Sequence, residues 1–258
     1  MDFQKMFGLP PVGSAHGHEI DFMIYLVHAL MLVLFVGWAI YFVTVLFKFN
    51  RWANPKANYH GTHSHVSSYI ETAVAIIEII LLVGFSIPFW AKQVDALPDR
   101  ADRIEVRIIA EQFAWNIHYP GKDGIFGKTD YKFYDKQANP LGLDSSDPAA
   151  KDDVITLNQF HIPIGRPVLI HLSSKDVIHS MALPIMRVKQ DAIPGMTIPV
   201  WFTPTMTGNF EIGCAQLCGL GHYRMKGFLV VQTPEEYDAW LSEQSQSSSE
   251  SSGDSFWQ

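Results

Sequence analysis

Charge is scarce in this chain, and it is missing from particular places. Asp, Glu, Lys and Arg make up 17% of its 258 residues, against about a quarter in an ordinary soluble domain. Phe22 to Phe47 is a run of 26 residues with no formal charge, and Val74 to Trp90 carries only Glu78. Roughly 20 helical residues cross a bilayer core at about 1.5 Å per residue. The first run therefore spans outright. The second spans if its helix begins near Tyr69, which puts Glu71 at its edge. A secretory signal does not fit the first run, because its apolar part would be about 7–15 residues long and would follow a basic stretch. Here Met1–Asp21 sets Lys5 against Asp2, Glu19 and Asp21. A pair of helices buried in a soluble core is likewise at odds with so long an uncharged run.

Acid is absent between the two runs. Lys48–Ser68 holds Lys48, Arg51 and Lys56 with no Asp or Glu, so by the positive-inside tendency this loop is cytoplasmic. The expected layout is an extra-cytoplasmic segment 1–21, a transmembrane hairpin 22–92, and everything later outside, on the periplasmic side of a bacterial inner membrane. Residues 93–258 contain 14 basic and 21 acidic side chains. That balance excludes nucleic acid as a partner and suits a basic protein drawn in by long-range attraction.

Cysteine is nearly absent. Cys214 and Cys218 are the only two, so there is no disulfide framework. Taken alone they could form a strained disulfide or a redox thiol pair. No Cys-x2-Cys-His run is present, which excludes a covalently attached c-type haem. No internal repeat appears.

What is present beyond residue 92 reads as β-structure. After a polar Pro-containing linker, Ile104–Tyr119 alternates apolar and polar and reads as strand. Pro120–Asp153 is rich in Gly, Asp, Lys and Pro and reads as a long hairpin insertion. Val154–Ile162, Pro167–Leu172, Thr197–Thr203, Asn209–Gly213 and Gly227–Gln232 read as short strands. Their spacing suggests an antiparallel sandwich. Thr233-Pro234-Glu235-Glu236 is a capping box opening a helix whose Tyr237, Trp240 and Leu241 share a face. The Ser-rich tail 242–258 is expected to be disordered.

The chemistry is concentrated in Cys214-Ala-Gln-Leu-Cys218-Gly-Leu-Gly-His222-Tyr-Arg-Met225. Thiolate, imidazole and thioether together favour copper over hard cations. The spacing does not suit a structural zinc site, which would need a second ligand pair. A mononuclear blue-copper site needs one Cys and two His, and this segment has two and one. Two cysteines could instead bridge two copper ions, each also needing a terminal His and a weak axial ligand. His222 and Met225 fill two of those places. His179, in Ser174-Lys-Asp-Val-Ile-His179, is the candidate second His, expected in a loop at a sandwich end. A loop carbonyl such as that of Gln216 could fill the last.

Asp176-Val-Ile-His179-Ser180, Lys189-Gln-Asp191-Ala-Ile-Pro194-Gly195 and Cys214…Cys218-Gly219…His222…Met225, in this order, resemble subunit II of the haem–copper cytochrome c oxidases. The resemblance extends to about residue 241. It implies a two-helix transmembrane hairpin followed by an all-β cupredoxin-like Greek-key sandwich (93–241, insertion 120–153) with a short C-terminal helix. It also implies binuclear copper held by His179, Cys214, Cys218, His222, Met225 and the Gln216 carbonyl. The implied task is to take electrons from cytochrome c or another c-type donor and pass them to haem in subunit I, for O2 reduction coupled to proton translocation. Subunits I and III are the implied membrane partners. All the copper ligands that a quinol-oxidase subunit II would lack are here. A copper-containing nitric-oxide reductase subunit, or a membrane-anchored copper chaperone or thiol oxidoreductase, is the alternative.

Two departures stand out against that family. Most members carry Glu where this chain has Gln216, and the family's carboxylate helps hold Mg2+ at the boundary with subunit I. An amide is a poorer ligand for so hard a cation, so the Mg2+ site is expected to be weak or absent, with Asp191 the nearby acid. The family's aromatic strand usually begins with Trp, the route by which electrons arrive. Here that stretch is Gln112-Phe113-Ala114-Trp115, so Phe113 and Trp115 are the candidates. Ile70-Glu71-Thr72 resembles the family segment whose Glu lies at the cytoplasmic mouth of a proton channel. Glu78 has no implied role. His60, His63 and His65 read as a solvated loop.

Overall fold

The computed structural model describes residues 8–56, 59–61 and 63–251. They form two compact units, one of His18–Ala96 and one combining the chain up to Gly17 with Leu97 onward.

The first unit is helical. Helix α1 is Gly17–Lys48 and helix α2 is Val66–Val94. Their 32 and 29 residues correspond to about 48 and 44 Å, more than the roughly 30 Å of a bilayer core. Large apolar side chains point outward all round, Phe35 and Phe47 among them, at 72% and 75% exposure. Both helices are thus long and apolar enough to cross a membrane. Near Leu82–Ser86 the ladder of α2 relaxes into a π-helical turn, which the sequence did not announce. An ion pair between Lys92 and Glu19 and a ring contact between Phe22 and Phe85 join the start of α1 to the end of α2. The two helices are therefore an antiparallel hairpin. Glu71 and Glu78 are both exposed on α2.

The second unit is a sandwich of two five-stranded sheets. Strands are β1 Ile104–Glu111, β2 Ala114–Tyr119, β3 Val154–Leu157, β4 Gln159–Pro163, β5 Val168–Ser174, β6 His179–Leu183, β7 Val188–Ala192, β8 Ile198–Phe202, β9 Gly208–Cys214 and β10 Lys226–Gln232. One sheet has the order β3-β2-β1-β5-β8, the other β4-β10-β9-β6-β7. On β1, Val106, Ile108 and Ala110 are wholly buried while Glu105, Arg107 and Ile109 face out. That period of two puts one face of each sheet into a shared apolar core, the main favourable term in folding. The insertion does link two antiparallel neighbours, β2 and β3.

Several elements differ from the sequence reading. Ile104–Tyr119 is two strands folded back at Gln112–Phe113. Val154–Ile162 is also two strands, and they lie in different sheets. The break is Asn158, at φ 59, a left-handed conformation that Asn tolerates better than most residues. Its Oδ1 accepts from Trp115 N at 2.8 Å and its own carbonyl from Phe228 N at 2.8 Å, which ties the crossing to both sheets. The sandwich is not purely antiparallel, since β1–β5 and β4–β10 run parallel. β6 and β7 went unread because β6 is buried at four of five positions and shows no alternation.

The described segment before α1 is fastened to the sandwich. Gly13 N donates to Ile185 O at 2.8 Å, Thr205 N to Gly13 O at 2.8 Å, and Ser14 Oγ to Met186 O at 2.6 Å. The closing helix, α3, is Pro234–Ser251. Its capping box forms as expected, with Thr233 N donating to Glu236 Oε2 at 2.9 Å and Glu236 N to Thr233 Oγ1 at 3.3 Å. The helix continues through 242–251, where disorder was expected. Residues 252–258 lie outside the described residues.

Candidate metal centre

Three connections meet at one end of the sandwich: the segment before β6, the β1–β2 turn and the β9–β10 loop. Asp176 organises the first two. Its Oδ1 accepts from Val177 N at 2.6 Å and from His179 Nε2 at 2.8 Å, while Oδ2 accepts from Gln112 N at 2.7 Å. Partial burial would raise the Asp176 carboxyl, but the hydrogen bonds from His179, Val177 and Gln112 hold it below its usual range. With Nε2 engaged this way, His179 turns Nδ1 toward Cys214. His179 itself is wholly buried and is the first residue of β6, paired with Ala192, not a loop residue.

The β9–β10 loop is folded tightly under the turn. Gly219 adopts φ 133, and a Cβ there would lie 2.7 Å from Gln112 Nε2 and 3.2 Å from Phe113 Cζ. A Cβ on Gly221 would collide with the Phe113 ring. Only glycine lets the loop approach so closely. Gln112 Nε2 then donates to Cys218 O at 2.6 Å.

Within this frame the soft donors converge. Cys214 and Cys218 are free thiols with their sulfurs 3.8 Å apart. Cys214 Sγ lies 4.0 Å from His179 Nδ1 and 3.2 Å from Gln216 O. Cys218 Sγ lies 3.6 Å from His222 Nδ1 and 3.7 Å from Met225 Sδ. Each sulfur therefore has one imidazole nitrogen and one weaker donor beside it. Burial, and then the neighbouring Cys214, push the Cys218 thiol up to about 11. A metal binding there must displace protons, as thiolate sites do. Apart from the Gln216 carbonyl, these donors are sulfur and imidazole nitrogen, which match a soft or borderline ion.

All six residues singled out for metal in the sequence are thus brought together. The aromatic candidates separate. Phe113 is half-buried against the Gly219–Gly221 backbone. Trp115 is wholly buried in the core, its ring edge-on to His179 at 6.3 Å between centroids, so it offers no outer surface. Glu71 belongs to the helical unit. Two positioning residues, Gln112 and the carboxylate of Asp176, were not singled out for these roles. The Asp-x2-His spacing was a usable signal for the second, but nothing local marks the first.

A family profile described as cytochrome c oxidase subunit II, periplasmic domain, matches residues 104–233. Among curated relatives, the alternative cytochrome c oxidase subunit 2 of Bradyrhizobium diazoefficiens is 42% identical over 145 residues, covering 56% of this chain and 52% of that protein. The cytochrome c oxidase subunit 2 of Cereibacter sphaeroides is 30% identical over 217 residues, covering 78% and 69%. The chain thus spans about half the length of the Bradyrhizobium diazoefficiens relative. The crystal structure of the periplasmic domain of subunit II of cytochrome oxidase from Bradyrhizobium japonicum aligns at 25% identity and TM-score 0.43, covering 59% of this chain and 99% of that one.

Proposed function

Because this chain belongs to the cytochrome c oxidase subunit II family, we propose that it is the electron-receiving subunit of a haem–copper oxidase, with a binuclear copper centre held by His179, Cys214, Cys218, His222, Met225 and the Gln216 carbonyl. One observation carries the reading: two free thiols 3.8 Å apart, each flanked by an imidazole Nδ1 and a weaker donor. Two copper ions bridged by these thiolates would accept and pass on one electron at a time.

The chain's own residues supply rigidity, which an electron carrier needs because every bond that changes with redox state slows transfer. His179 is held by Asp176 through the nitrogen not offered to metal, the usual way a ligating imidazole is oriented. Gln112 fixes the Cys218 carbonyl from outside the loop. Phe113 covers the loop and is the proposed contact for a c-type donor. Trp115 backs His179 from the core. Around this end Leu217, Leu220 and Tyr223 are 76%, 97% and 85% exposed, an apolar rim of the kind that marks a docking surface. Membrane anchoring by α1 and α2, with the sandwich on the periplasmic side, fits the basic loop between them. Glu71 is proposed at the mouth of a proton channel in subunit I. Gln216 leaves any Mg2+ site at the boundary between the sandwich and subunit I weak, with Asp191 on β7 the remaining acid.

Metal analysis and electron paramagnetic resonance on the full chain test the copper reading. Two coppers per chain with a signal shared over both are expected. One copper, or an oxidised Cys214–Cys218 bond with none, overturns it.

A further inference from the structure

The insertion 120–153 leaves a cavity of about 730 Å3 against the outer face of the first sheet. Small-molecule sites typically measure about 300–1,000 Å3. The floor is a row across three strands, His118 on β2, Arg107 on β1 and His171 on β5, in register. The insertion supplies Phe126 and the stacked pair Tyr131–Tyr134, whose rings lie 5.8 Å apart and 4° from parallel.

The ions around this cavity are almost all spoken for. Asp153 accepts from His118 Nε2 at 2.7 Å and from Gly127 N at 2.8 Å. Glu105 is taken by Arg103 at 2.6 Å and His171 at 3.1 Å. Lys175 donates to Glu111 at 2.8 Å, and Asp130 is engaged by Lys132 at 3.3 Å. Arg107 differs. Among the described residues its side chain makes no hydrogen bond and no ion pair, although it is half-buried and lines the cavity. The Phe126 ring covers it, with its centroid 4.1 Å from Cζ, and Asp153 and Glu105 attract it through space without a hydrogen bond. A ring over the face of a guanidinium leaves the five in-plane N–H groups without acceptors. Those N–H groups are therefore free to donate to an oxyanion that enters the cavity.

We propose that this cavity is a binding site for a small organic carboxylate with a flat apolar body, its carboxylate on Arg107 and its body along Tyr131 and Tyr134. A single guanidinium with no hydrogen-bonded acceptor suits one negative charge. The surrounding acids, each already paired, disfavour polyphosphates.

The test is ligand-observed saturation-transfer NMR on the full chain without metal, so it is independent of the copper reading. Benzoate is the probe, with benzamide as its neutral twin, acetate as the head group alone, and inorganic phosphate. Saturable benzoate binding, at least about tenfold tighter than benzamide or phosphate, is expected. Arg107→Gln should weaken benzoate by about tenfold or more. Tyr131 is 89% exposed, so Tyr131→Ala leaves the fold intact and should weaken benzoate while sparing acetate. Equal binding of benzoate and benzamide, no saturable benzoate signal, or no change in the Tyr131→Ala chain overturns the proposal.

Discussion

The sandwich holds two polar clusters, and it holds them in opposite ways. On the outer face of the first sheet, His118–Asp153 and Glu105–Arg103–His171 are acid–base partners that bond to one another inside the protein, although among the described residues His118 Nδ1 and Asp153 Oδ1 keep no hydrogen bond. At the end of the sandwich the donors are chiefly neutral or soft. Hydrogen bonds there secure the atoms that do not face the centre: His179 Nε2, the Cys218 carbonyl and the Gln112 amide. Pairing closes one cluster on itself, while pinning leaves the other open to something that arrives later. Buried ions stabilise only when matched. A ligand set works only when it is fixed and unmatched.

The largest test of that contrast is to remove one of the two sulfurs proposed to bridge. Cys218→Ser should abolish two-copper binding and its shared signal, read by metal content and paramagnetic resonance, while the thermal transition of the apo chain moves little. A site retaining both coppers would mean that the sulfurs are not the bridge. The matching test in the closed cluster is Asp153→Ala. It strips a wholly buried His118 and the Gly127 amide of their shared acceptor. Leaving a buried donor without its acceptor costs about 1–3 kcal/mol, seen as a fall in the thermal midpoint by near-ultraviolet circular dichroism. Copper content should not change. A small fall would mean that water replaces the carboxylate.

These two clusters were unequally legible in the sequence. The six candidate donors lie in two short stretches, and five of them are side chains whose types suggest a soft metal, the sixth being the Gln216 carbonyl. The closed cluster draws Glu105, His118, Asp153 and His171 from β1, β2, the insertion and β5. Each residue alone is an ordinary surface-strand residue, and only the register of three strands assembles them. The strands with clean alternation, β1 above all, were visible. The Asn158 crossing was not, because one left-handed residue inside an apolar run leaves no gap in the hydrophobic pattern. The extension of α3 into a Ser-rich segment was hidden for a similar reason, since composition outweighed the continuity of the helix.

A finer test is Asp176→Asn, which sits in the open cluster but acts as a paired acid. An amide keeps the shape and loses the charge that accepts from His179. Removing a partner of this kind typically lowers metal affinity about 10–100-fold. Competition with a copper chelator measures it. An unchanged affinity would show that the strand alone orients His179.

The smallest effect is expected where the two clusters adjoin. Lys175 follows β5, pairs with Glu111 at the end of β1, and lies over the Tyr134 ring at 5.4 Å. Its side chain is 23% exposed and that of Glu111 21%, so the pair keeps partial contact with solvent, and bridges near the surface are worth about 0–1 kcal/mol. Lys175→Met keeps the stem that covers the ring and removes the charge. Stability should fall by less than about 1 kcal/mol, and more so at low salt than at high. Copper affinity should stay within error, because no ligand and no residue pinning a ligand bonds to Lys175. A clear loss of copper would join the two clusters into one network, and the division between closed and open would then fail at this residue.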